Sequence, residues 1–415
     1  MSVRSGWSER RSSPQLGIRL ERELSVDSRS DLDPLAFEGL DEDAKLRDEV
    51  ESERAEIRDF VKTLSADDIK TGGWFTKLLR TSLNAYTTKV DWAYFQSKYP
   101  GVPADAIVDQ RIKMAARYAA IEGLLSAGAY TGTVAATIGS GGGASPLTVP
   151  AAVTTVMVDV VYTTRLQLRL AYDIAVLYRI ALDLDDPDDL WKLIRVAFTI
   201  KGGEVAREGV IKAVPLAMRP LIKRFYSRGV LNAARGLPVV GKYLLQRNAI
   251  KIGIPLVGVP LAVVLNRYTT QVAGRHARVV FRNEARLIEE ANRLSAATCH
   301  PNLMLRTAWL VIMADGKVSD DEALFFRLLV GAAERDHQVV DRELADLIEI
   351  DKAEFFREID AVADVPNCDL DDIVDLSRRV AAIDGVPNKR ERVLLDALSD
   401  RCRSAQGSRA SEERG

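Results

Sequence analysis

The sequence predicts an all-α protein: a helical middle domain, a small C-terminal helical bundle and a disordered N-terminal segment. Three observations predict it. Apolar residues recur at helical spacing, as at Phe75, Leu78, Leu79, Leu83 and Tyr86. Helix-breaking signals such as Pro100-Gly101 and Asp185-Asp186-Pro187 separate the periodic stretches. Near the C-terminus, two loops carry the residues that end one helix and start the next.

The expected segments run in order. Residues 1–40 lack sustained apolar periodicity and bury too little to offset ordering entropy, so they are expected to be disordered. Residues 41–295 form the middle domain, 296–405 the acidic C-terminal domain and 406–415 a polar tail. Within the middle domain, Glu42–Leu64 reads as an exposed charged helix and Ala104–Leu125 as an Ala-rich helix suited to close packing. Met157–Leu184 reads as a long helix, after which Asp188 or Asp189 caps the next one. Ile252–Leu265 is apolar, with two prolines that weaken it as a helix interior, and Asn266–Leu294 is a charged helix.

Leu124–Val158 contains no Asp, Glu, Lys, Arg or His over 35 residues, and Gly139–Pro146 breaks it in the middle. A straight span of the hydrocarbon core needs about 20 apolar residues. Each flank is shorter than that and rich in Thr, Ser, Ala and Gly. Two readings stand: a shallow or re-entrant membrane hairpin, or two buried helices of a soluble bundle joined by a Gly loop.

Charge is unevenly spread. Residues 199–251 hold eleven Lys or Arg against two Glu, whereas residues 301–375 hold seven Lys or Arg against nineteen Asp or Glu. The basic stretch includes Lys212, Arg219, Lys223, Arg224, Arg228, Lys242 and Lys251 with interleaved Val, Leu, Ile and Phe. Near an anionic leaflet each such charge contributes about 1 kcal/mol, so an anionic membrane surface is the expected partner. A solvated face of a soluble bundle is the other reading. Nucleic acid is not expected, since no base-reading module accompanies the charge. Docking of the acidic domain on the basic stretch would make membrane binding switchable.

The C-terminal loops are Ala314-Asp315-Gly316-Lys317-Val318-Ser319-Asp320-Asp321-Glu322 and Ala382-Ile383-Asp384-Gly385-Val386-Pro387-Asn388-Lys389-Arg390-Glu391. Each glycine can take positive φ at a helix C-terminus. Ser319 with Glu322 and Asn388 with Glu391 have capping-box spacing. The same spacing allows Asp315, Glu322, Asp384 and Glu391 to act as oxygen ligands for Ca²⁺ or Mg²⁺. The alternating ligands of an EF-hand are missing. Asn388 and Lys389 make the second loop the weaker ligand set.

Other chemistries lack support. Gly139–Gly143 is not followed by the Gly-Lys-Ser/Thr of a phosphate loop. Cys299-His300 has no second pair at zinc spacing. Three cysteines give no disulfide framework and suit a reducing compartment. Residues 1–35 do not read as a signal peptide. The titratable groups lie mostly in charged helices, and no nucleophile–base set is legible, so no enzyme and no organic cofactor are expected.

The MADGKVSDDE and AAIDGVPNKRE segments resemble the paired motifs of TerB-like domains, named for tellurite resistance, over roughly residues 296–403. The resemblance implies a helical bundle with an acidic, metal-binding face, and Asp315, Glu322, Asp384 and Glu391 occupy the motif positions. MVDVVYTTRLQLRLAYDIAVLYRIALDLDDPDD and GIPLVGVPLAVVLNRYTTQVAGRHARVVFR resemble the EcsC family over roughly residues 75–290. That resemblance implies membrane association and supplies no catalytic residue. Together they imply a bacterial stress-response, toxic-anion-resistance or phage-defence protein, cytoplasmic and peripheral on the inner face of the membrane. The expected partners are the membrane and another protein. A soluble helical scaffold without membrane contact is the alternative, and an integral hairpin is a third reading.

Overall fold

The computed structural model describes residues 44–140, 145–199, 238, 240–242, 244–245, 258–314, 316, 318–338, 352–363, 370–383 and 385–412. All regular structure among them is helical, and no strand is present among them. They form two compact units that divide between Asn283 and Glu284. The expected disordered segment 1–40 lies outside the described residues.

The first unit begins with α1 (Ala44–Lys62), whose Val50, Arg54, Ile57 and Val61 make a buried stripe. The helix is therefore amphipathic, where the sequence suggested a mainly exposed one. Ser65 and Asp68 form a capping box at α2 (Ala66–Thr71), and Gly72 ends it at φ 83°. α3 (Gly73–Leu78) continues through a π-helical turn at Leu79–Leu83 into α4 (Asn84–Thr87). Phe75, Leu78, Leu79 and Leu83 are buried, as the spacing predicts, while Tyr86 of the same set is half-buried; Trp74 is buried as well. A Cβ on Gly241 would sit 2.3 Å from the Gly72 carbonyl oxygen. Only glycine fits this backbone crossing.

α5 (Trp92–Lys98) starts at Asp91, whose carboxylate accepts a hydrogen bond from the Tyr94 amide. Two long helices follow, α6 (Ala104–Gly139) and α7 (Ser145–Leu177). They pack along each other as an antiparallel hairpin and form the centre of the unit. α7 ends seven residues before the Leu184 that periodicity suggested. Arg179 turns left-handed at φ 58°, its guanidinium 4.4 Å from the Trp92 ring centroid. Asp186, rather than Asp188 or Asp189, caps α8 (Pro187–Ala197), with Pro187 in the first turn.

α9 (Gly258–Ala297) starts eight residues before Asn266. Pro260 falls in its first turn, where the missing N–H has no helical partner to lose. Gly274 lets α9 approach the hairpin, since a Cβ there would meet the Ile112 side chain at 2.8 Å.

The second unit takes the end of α9 with α10 (Pro301–Ile312), α11 (Asp320–His337), α12 (Lys352–Ala363), α13 (Asp371–Ala381) and α14 (Lys389–Glu412). Its core includes Leu305, Phe325, Leu329, Phe355, Leu376 and Leu398. The Trp309 and Phe326 rings meet at 5.2 Å. Cys299 is disulfide-bonded and Cys402 is free and buried. The odd cysteine count predicts no disulfide framework and a reducing compartment, whereas Cys299 is paired. That inference failed because a count is silent on which thiols the helices bring together.

Candidate functional site at the base of a helical hairpin

The hairpin changes character along its length. From Ala104 to Ser126, α6 carries a regular set of buried residues that includes Ile107, Val108, Ala119 and Ile121. Beyond Ser126 the burial stops. No residue of known burial in 127–140 or 151–156 is buried, and Val153 is 49% exposed. A Cβ on Gly128, Gly132 or Gly139 would meet nothing within 4 Å. At 1.5 Å per residue, residues 127–139 project about 20 Å beyond the packed base. Of the stretch Leu124–Val158, the described ends at Ser126, Met157 and Val158 are core, and the described tip residues are half-buried or exposed. No described helix is long and apolar enough to cross a membrane.

The base of the hairpin holds an ionisable pair. Glu122 and Asp159 are the first charged residues on either side of the uncharged run. Glu122 is 0% exposed and Asp159 is 6% exposed. Gly123 admits α9 here, because a Cβ would sit 2.8 Å from the Ala262 carbonyl oxygen. That approach places Asn266, itself buried, between the two acids. Its Nδ2 donates to Glu122 Oε2 at 3.2 Å and to Asp159 Oδ1 at 2.9 Å. Ser126 Oγ donates to Glu122 Oε1.

Burial pushes the Glu122 carboxyl well above the usual carboxylate range, and the neighbouring Asp159 carboxyl adds to this by charge and by hydrogen bonding. Arg54 on α1 and the Ser126 hydroxyl pull the other way.

A second polar node lies farther along α7. Asp173 is 0% exposed. It accepts from Tyr86 Oη at 2.7 Å and from Arg111 Nε at 2.9 Å. Burial raises the Asp173 carboxyl, while Arg111 and the Tyr86 hydroxyl oppose that rise. Arg169 reaches Glu53 at 2.7 Å and lies over the Tyr86 ring. This node is a paired, hydrogen-bonded strut that holds α1, α4, α6 and α7 together.

Sequence reasoning placed the titratable groups mainly on charged helices and missed both nodes. The available signal for the first was positional: an acid on each edge of an uncharged run. What identified the pair was the long-range contact with Asn266, which has no local signature.

Of the seven basic residues assigned to membrane binding, Lys242 is described and exposed. Lys212, Arg219, Lys223, Arg224, Arg228 and Lys251 lie outside the described residues. Asp315 and Asp384 also lie outside them. The capping reading of both C-terminal loops is realised. Gly316 and Gly385 have φ of 77° and 146°. Ser319 and Glu322 form a complete capping box, with Ser319 N donating to Glu322 Oε2 at 2.7 Å. Asn388 N donates to Glu391 Oε2 at 2.8 Å, and Asn388 Nδ2 donates to Oε1 at 2.6 Å. Both Glu391 oxygens are thus engaged by Asn388. Among the described residues no group of three or more acids, histidines or cysteines could hold a metal ion.

No protein-family model matches the chain, and neither a similar curated protein nor a similar solved structure is found.

Proposed function

We propose that this is a non-enzymatic, peripheral membrane protein whose hairpin tip enters one leaflet, cytoplasmic and on the inner face of the membrane. The observation that carries the reading is the tip itself. It lies within a stretch uncharged over 35 residues, and none of its described side chains in 127–140 and 151–156 is buried. Its reach of about 20 Å falls short of a hydrocarbon core about 30 Å thick but exceeds one leaflet. Each helical arm satisfies its own backbone hydrogen bonds, as lipid requires. The basic residues of 199–251 would add attraction to anionic headgroups. The EcsC-like resemblance of this region supports the same reading, with stress response or defence as the setting.

In this proposal the TerB-like domain is the regulatory module. It binds a protein partner, or Ca²⁺ or Mg²⁺ through Asp315 and Glu322 first and Asp384 and Glu391 second. A soluble scaffold is the alternative. It draws on the Thr, Ser and Gly content of the tip, which suits water as well as a headgroup layer.

Membrane fractionation of the full-length protein separates the readings. A peripheral protein sediments with membranes and is released by carbonate. A soluble scaffold stays in the supernatant at low salt, and an integral hairpin resists carbonate.

A further inference from the structure

We propose that Glu122 and Asp159 are a one-proton latch that clamps the two arms of the hairpin to α9 through Asn266. The inference concerns the packed base and stands whether or not the tip meets lipid.

The geometry supplies the argument. One acid lies on each arm, and one amide on a third helix donates to both. Both carboxyl groups are therefore held at one donor atom inside the packed base. A single proton on the pair would let one carboxyl donate to the other, which two carboxylates, each only an acceptor, cannot do. Burial supports the same count. Taking both charges out of water together is costly unless they are compensated.

The groups facing the pair come from every helix packed around it. Arg54 comes from α1, Ser126 from α6 and Asn266 from α9. Tyr162 on α7 is 1% exposed and feels the charge of Glu53 and Glu122. With Arg54 charged and one proton on the pair, the cluster is neutral. Removing that proton leaves two facing carboxylates and one net negative charge in a buried contact. Their repulsion acts directly on the separation of the arms. Asn266, the shared donor, cannot neutralise either charge.

The sign of the pH dependence follows. The Glu122 carboxyl is raised in the folded protein from its ordinary value of 4.5. Its contribution is complete below 4.5 and is lost as pH rises through the folded value. Base stability therefore falls with rising pH. Glu122→Gln keeps the shape and hydrogen-bonding capacity of the protonated acid and removes the titration.

The test uses the full-length protein. Infrared spectra at neutral pH with ¹³C-labelled glutamate should show a protonated glutamate carboxyl band. That label separates Glu122 from buried Asp173. The band should vanish in Glu122→Gln and at high pH. In parallel, the thermal midpoint of the wild type should fall relative to Glu122→Gln by about 3 °C or more between pH 5 and 8. Amide hydrogen exchange, corrected for intrinsic rates, should rise at residues 119–126 and 156–163 of the wild type over the same range. Absence of the glutamate band at neutral pH overturns the latch, even where the variant fails to fold. So do wild-type and Glu122→Gln midpoints that move in parallel.

Discussion

Gly123 sets how closely α9 can approach α6, and so whether Asn266 can reach both acids. Its hydrogen points at a backbone carbonyl that cannot swing aside. Gly123→Ala gains about 1 kcal/mol of helix propensity but incurs an overpacking penalty of about 1–3 kcal/mol. We expect a net loss, read as a lower urea midpoint at unchanged slope. Asp173→Ala removes the partner of a partly buried guanidinium and should cost about 3–5 kcal/mol. Ser319→Ala removes one capping bond and should cost about 1 kcal/mol by the same measurement. These three residues differ in how far the sequence announced them. Ser319 was legible, because a capping box is a local pattern of four residues. Gly123 and Asp173 were not, since their roles depend on partners on other helices, and a glycine or an aspartate in a helical stretch carries no mark of such a partner.

At the scale of the element, the hairpin was legible as an uncharged run but its limits were not. The Ala-rich reading stopped at Leu125, where glycines begin to weaken propensity. α6 continues to Gly139 because extending a formed helix is far easier than nucleating one. α7 stops early for the opposite reason, as Arg179 finds the Trp92 ring and leaves the helix. Composition left the core and membrane readings of the tip side by side, because it cannot distinguish an apolar stretch covered by protein from one left uncovered. Solvent-facing Ala135 and Val153 make the tip testable without disturbing the fold. A lysine placed near the middle of a bilayer costs about 2.5–3.5 kcal/mol on insertion scales. Val153→Lys should therefore weaken vesicle binding by roughly tenfold or more, less than the full penalty implies because lysine snorkels, while leaving the thermal midpoint within about 1 °C of the wild type.

Across the whole molecule, the all-helical class followed from periodicity that survives any arrangement of the helices. The C-terminal unit was the most readable part, since its loops combine positive-φ glycines and caps within ten residues. Its ligand is a separate matter from its fold. Calorimetry of the full-length protein with Ca²⁺ and Mg²⁺ should show binding heat that is reduced in Asp384→Ala, reduced further in Asp315→Ala and abolished in the double variant. Heat that survives both substitutions would place the cation elsewhere, and no heat in the wild type would leave the loops as helix caps. The charge contrast between residues 199–251 and 301–375 predicts a marked salt dependence of membrane binding, because exposed charges are screened over about 8 Å at physiological ionic strength. The measurement that bears most directly on the central claim is flotation of the full-length protein with anionic vesicles, compared with an Ala135→Lys/Val153→Lys variant of equal thermal midpoint. The account predicts that the wild type floats and the variant stays in the dense fraction. A wild type that does not float, or a variant that floats equally well, would contradict it.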